Sequence, residues 1–115
     1  MKGEQEAILR VGPASVSSTL NNKANNTAYG VASSALIPVP GAGSGCFITL
    51  KPVGAAGGDC CIALMGPGIS AATALDMIFY AGQVEDLWLP DGCTGFYVIR
   101  ATTVDGNLKW YRSSL

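Results

Sequence analysis

The sequence predicts an all-β fold, a β-sandwich or jelly-roll-like barrel of about seven or eight short strands with a C-terminal hairpin. Three observations carry this expectation. Apolar residues recur with period two in several stretches, Gly- and Pro-rich breaks punctuate them at short intervals, and an Asp-Gly pair near the end separates two strand-like segments. With 115 residues there is room for one domain and one core.

From the N-terminus, residues 6–11 read as a short strand or a nascent helical turn, ended by Gly12-Pro13. Residues 14–26 are rich in Ser and Asn and bury little apolar area, so they read as an arm or long loop rather than a strand. The expected division is an N-terminal strand and arm over 1–28, polar and partly flexible, and a sandwich domain over 29–115. In that domain, 31–39 reads as a strand closed by Pro38-Val39-Pro40-Gly41. In 46–52, Cys46, Ile48 and Leu50 alternate with Phe47, Thr49 and Lys51, the pattern of a half-buried strand. A turn over 54–58 leads to a strand over 60–65 with Cys60, Ile62 and Leu64 inward.

Gly66-Pro67-Gly68 breaks the chain again. Residues 69–75, with Ala71, Ala72, Ala74 and Leu75, favour a helical turn too short to be stable alone. Residues 77–80 and 84–89 flank a turn at Ala81-Gly82 and read as a hairpin, closed by Pro90-Asp91-Gly92. A second hairpin is expected around Asp105-Gly106, a dipeptide suited to a type I′ turn. Its register would pair Val104 with Asn107, Ala101 with Trp110 and Ile99 with Arg112. One face then carries Tyr97, Ile99, Ala101, Leu108 and Trp110, which places Trp110 in the core.

Hydrophobic residues make up 49% of the chain and charged residues 13%, about half the usual charged share. A surface so short of charge favours association with partners. The formal net charge of −1 predicts neither nucleic-acid nor membrane binding. All seven Lys and Arg lie before residue 52 or after residue 99, and the segment between carries Asp59, Asp76, Glu85, Asp86 and Asp91. Such asymmetry suits a head-to-tail self-contact or a solvated acidic rim. Acids in the first six residues leave no apolar run for an export signal, and the apolar stretch 60–75 is interrupted by Gly-Pro-Gly. The expectation is synthesis and assembly in a cytoplasm.

Residues for catalysis are scarce. With no histidine, Ser-His-Asp and Cys-His nucleophile pairs are excluded. Glu85 and Asp86 are adjacent, and on a strand they point to opposite faces, so they cannot share a substrate atom. Cys46, Cys60, Cys61 and Cys93 contain no Cys-x-x-Cys and read as buried structural thiols ahead of a zinc site or disulfides. The glycine-rich run 41–45 is followed by no Gly-Lys-Ser/Thr, so it reads as a strand connection. Arg100, Lys109, Tyr111 and Arg112 make a weak nucleic-acid footprint. The expectation is no enzyme, no cofactor and no metal. Phe47, Phe79, Tyr80 and Trp88 are the candidate interface residues, with a core position the alternative for Phe47 and Trp88.

From about residue 35 to the end, the order of short motifs resembles a group of small virion proteins of tailed bacteriophages. The motifs are Asp59-Cys60-Cys61-Ile62, the link through Ala71-Ala72-Thr73-Ala74-Leu75 to Asp76-Met77, Ala81-Gly82-Gln83-Val84-Glu85, Val98-Ile99-Arg100-Ala101, and Asp105-Gly106. The resemblance implies a β-sandwich that decorates or cements the capsid without enzymatic activity. It further implies the major capsid protein as partner, a place on the capsid surface of the virion, and self-association, as in a trimer about a three-fold or quasi-three-fold point. A tail or head-to-tail connector component is the alternative within the same particle. A carbohydrate-binding module using Trp88, Tyr80 or Tyr111 is the alternative from another class.

Overall fold

The structure is a computed structural model that describes residues 25–112. The segment read as a short element over 6–11, and the Ser/Asn-rich arm up to residue 24, lie outside the described residues. The strands are β1 (Asn25–Tyr29), β2 (Ile37–Pro38), β3 (Ser44–Gly54), β4 (Cys60–Leu64), β5 (Met77–Phe79), β6 (Glu85–Asp91), β7 (Gly95–Arg100) and β8 (Gly106–Arg112). No helix occurs among the described residues, and so none is long and apolar enough to cross a membrane.

The alternation in β3 does what its sequence predicts. Cys46, Ile48, Leu50 and Pro52 are buried, while Lys51 is exposed and Phe47, Thr49 and Val53 are partly covered. In β8, Leu108 and Trp110 face the same interior. Each strand has only one apolar face to bury, and the antiparallel solution is two sheets packed face to face. One sheet runs β1-β8-β3-β6 and the other β2-β7-β4-β5. Pairing is nested, β1 with β8, β2 with β7, β3 with β6 and β4 with β5, which is the double-sheet, eight-stranded jelly roll. Ile48, Leu50, Leu89, Leu108 and Trp110 from the first sheet meet Cys60, Ile62, Phe79, Phe96 and Val98 from the second. The rings of Phe96 and Trp110 touch edge to face at 5.3 Å across this core.

Pro52 stands inside β3, where a proline removes a ladder donor. It sits beyond the last β6 pair, Leu50 with Glu85, and its carbonyl accepts the Gly82 amide at 2.9 Å. Its missing N–H therefore costs no strand bond.

Both expected hairpins are corrected. β7 pairs with β2 and β4, whereas β8 pairs with β1 and β3, so the two strands belong to different sheets. Residues 101–105 form a crossover that side chains pin down. Asp105 accepts from Arg100 Nη1 at 2.6 Å, Arg100 also donates to the Thr103 carbonyl, and Thr102 Oγ1 donates to the Gly57 carbonyl at 2.8 Å. Gly106 is not a turn residue at positive φ. It is the first residue of β8, squeezed between Tyr29 of β1 and Gly54 of β3, where a Cβ would stand 2.7 Å from the Val53 carbonyl oxygen. The inward residues of β7 are accordingly Phe96 and Val98, not Tyr97 and Ile99, while Leu108 and Trp110 are inward as expected.

Likewise a turn does form at Ala81-Gly82, with Gln83 N donating to Tyr80 O. Yet β5 enters one sheet and β6 the other. Ala81 N is drawn to Asp59 Oδ1 at 2.8 Å and Gly82 N to Pro52 O, which anchors this tip over the gap between the sheets. The strand expected over 31–39 shrinks to Ile37–Pro38. Ahead of it Ser34 substitutes for a ladder residue, its N–H donating to Val98 O and its hydroxyl accepting from Val98 N. Residues 69–75 form turns rather than a helical turn. The division expected at residue 28 runs through β1, which is part of the sheet.

Candidate functional site

At one lateral side of the sandwich, β5 ends one sheet and β6 ends the other. Edge strands present unpaired main-chain groups and are natural templates for association. Among the described residues, seven of the nine exposed large apolar residues fall between Ile69 and Trp88, the stretch of chain that contains both edge strands.

Local chemistry keeps these side chains outward. Asp76 Oδ2 accepts from Thr73 N at 2.7 Å and from Thr73 Oγ1, Leu75 N donates to Thr73 Oγ1, and Asp76 N returns to Thr73 O. This closed turn holds Leu75 in solvent at 95% exposure. Upstream, Ala72 is buried and its amide donates to Ser33 Oγ at 2.8 Å. The 66–76 connection thereby lies over the outer face of β4, where Cys61 and Ala63 are buried. Met77 and Ile78 follow on β5, both nearly half exposed, and Tyr80 and Val84 flank the turn into β6.

The four candidate interface residues separate. Phe79 is 8% exposed and packs in the core against Cys60 and its neighbours, which corrects its assignment to a surface. Of the three residues of β5 only Phe79 is buried. Tyr80 is exposed. Phe47 and Trp88 are direct partners across β3 and β6 on the outer face, with ring centroids 4.9 Å apart. Trp88 is 44% exposed, and its indole lies along Gly45, whose absent side chain makes room for it. Neither residue belongs to the interior core. Leu75, Met77, Ile78 and Val84 were not singled out from the sequence, where attention to aromatics passed over them. The Thr73-to-Asp76 turn was the available signal, since such a turn throws its middle side chains into solvent.

No assembled catalytic set occurs among the described residues. Glu85 and Asp86 sit opposite Leu50 and Thr49 and point to different faces, and Asp86 Oδ1 accepts from Thr49 Oγ1 at 2.8 Å. All four cysteines are buried free thiols. Burial pushes the Cys60 thiol up to about 12, with Cys61 and Asp59 adding to the effect. Burial raises Cys46 as well, against the pull of Arg112, and raises Cys61 together with Asp76. Thiols held protonated are poor nucleophiles and poor metal ligands. No group of three or more Cys, Asp or Glu stands ready for a metal ion among the described residues. Tyr29 donates to the Gly58 carbonyl at 2.5 Å, and burial raises its phenol well above the ordinary range.

Two hollows remain. One, of about 420 Å³, is lined by Met65, Pro67, Pro90, Asp91 and Cys93 at an end of the sandwich. The other, of about 210 Å³, lies on the outer face of the β1-β8-β3-β6 sheet beside Lys51, Lys109 and Tyr111. Both are shallow surface depressions without a convergent set of polar groups. Comparison with protein-family models, curated proteins and solved structures finds no match to the chain. The surface that stands out chemically is therefore the apolar β5–β6 side.

Proposed function

We propose that this chain is a non-catalytic assembly protein that docks through its β5–β6 side. The observation that carries the reading is Leu75, held fully in solvent by a hydrogen-bonded turn beside Met77 and Ile78 on an open edge strand. Exposed apolar patches of this kind mark interaction sites. The setting we propose is the particle of a tailed bacteriophage, with the chain as a capsid decoration or cement protein bound to the major capsid protein. The ordered motifs support this setting, and so does the jelly roll, an architecture that viral capsid proteins use repeatedly; the latter support is an analogy of fold. Cementing would act by burying apolar area across subunit seams, many small contacts summing to a more stable shell.

The test is labelling of tailed-bacteriophage particles for the chain, paired with a folded Leu75→Glu/Ile78→Glu variant. Label over the head, lost in the variant, supports the proposal. Label confined to the tail transfers the role to a tail or connector component, and glycan binding by a chain absent from particles overturns the assembly reading.

A further inference from the structure

The outer face of the β1-β8-β3-β6 sheet carries groups that the core does not use, set on three successive rungs. Phe47 and Trp88 form the first, Asp86, Thr49 and Tyr111 the second, and Lys51, Lys109 and Asn26 the third. At about 3.3 Å per residue, the first and third rungs stand about 13 Å apart along β3. At one end the half-exposed Trp88 indole rests along Gly45. At the other, two exposed lysines are direct cross-strand neighbours, where like charges repel and weaken the sheet. Neither lysine takes part in an ion pair among the described residues. Both line the hollow of about 210 Å³, with Thr49, Val84 and Tyr111. That hollow is too shallow to enclose a small molecule, but a ligand lying along the strands touches the whole face.

We infer that this face binds an acidic oligosaccharide, with one sugar ring on Trp88 and its carboxylate or phosphate between Lys51 and Lys109. The exposed indole offers an apolar surface to the C–H side of a sugar ring. An anion between the lysines cancels the repulsion that the free chain tolerates. Asp86 stands between the two ends, its carboxylate accepting from Thr49 Oγ1 at 2.8 Å. A carboxylate there accepts from sugar hydroxyls and repels a backbone that carries a phosphate at every step. The face therefore suits a glycan with few charges over a single-stranded nucleic acid. Binding here uses neither Leu75 nor Ile78, so it stands apart from the β5–β6 contact.

The full-length chain is applied to an array of uronate-bearing, sialylated, phosphorylated and neutral oligosaccharides, and the strongest ligand is titrated by calorimetry. Acidic glycans bind, neutral ones of equal length bind at least about tenfold more weakly, and added salt weakens binding. Lys51→Gln/Lys109→Gln loses at least about tenfold in affinity, while its melting temperature stays level or rises because the repulsion is gone. Trp88→Leu, which keeps apolar volume against Gly45 and Phe47, also loses affinity. Leu75→Glu/Ile78→Glu binds as wild type does. An array without a bound acidic glycan, a lysine variant that keeps its affinity, or binding indifferent to salt overturns the inference. Oligothymidylate bound as tightly as the strongest glycan, with the same dependence on the lysines, transfers the face to single-stranded nucleic acid and overturns it too. Glycan binding by a chain that never labels particles leaves this site standing and refutes the assembly role. Labelled particles whose chain binds no glycan do the reverse.

Discussion

Trp110 stands in the core where the two sheets meet, and the effect of its removal can be quantified. It is 3% exposed, sits in β8 between Asn25 of β1 and Leu50 of β3, and meets the Phe96 ring of the opposite sheet edge to face. A buried Trp covers roughly 200 Å² of apolar surface, and truncating it to Ala leaves a void that rigid strands fill poorly. The expected loss for Trp110→Ala is about 3–5 kcal/mol, a large share of the roughly 5–15 kcal/mol that holds a domain folded. Trp110→Phe behaves differently. The indole Nε1 is buried without a hydrogen-bond partner, so Phe keeps much of the ring contact and discards an unmet donor. Its loss is expected near 1–2 kcal/mol. Urea melts measure both variants, with Trp88 on the outer face remaining as the fluorophore. A loss below about 1 kcal/mol for Trp110→Ala, or equal losses for the two variants, refutes the packing argument.

Two further outcomes follow from the fold. Cys60 titrates from its ordinary 9 up to about 12 in the folded chain. Its contribution is complete below pH 9 and lost between about 9 and 12, because only the unfolded thiol ionises there. Near pH 10.5 the loss from this group is about 2 kcal/mol, and Cys60→Ala should show a correspondingly flatter decline in melts at pH 8 and 10.5. Parallel declines would remove Cys60 as the cause. Gly106→Ala places a methyl against the Val53 backbone carbonyl and should cost about 1–3 kcal/mol by overpacking. An unchanged melt would show that β1, β8 and β3 do not close on that residue.

Burial phase was legible in β3 and β8 but not in β7, where Phe96 and Val98 rather than Tyr97 and Ile99 face the core. Cys46, Ile48 and Leu50 alternate with Phe47, Thr49 and Lys51 because one sheet face is dry and the other wet, and that difference is written into neighbouring residues. The candidate site was only half legible. Tyr80 and Trp88 were found as exposed aromatics, but Leu75 was not, because its exposure comes from hydrogen bonds of Thr73 and Asp76 rather than from periodicity. Phe79 was misplaced since a three-residue strand has too little pattern to show its phase.

What the amino-acid sequence determined by itself is the all-β class, the position of most turns and the inward phase of β3 and of Leu108 and Trp110 in β8. Tertiary structure alone decided which strands pair. Asp105-Gly106 has the local chemistry of a hairpin, yet Asp105 is taken by Arg100 and Gly106 is taken by the close approach of β1 and β3. Nested pairing joins residues as distant as Asn25 and Trp110. Each strand's ladder is satisfied by a partner far along the chain, and no local pattern specifies that choice; burying both sheets against each other does.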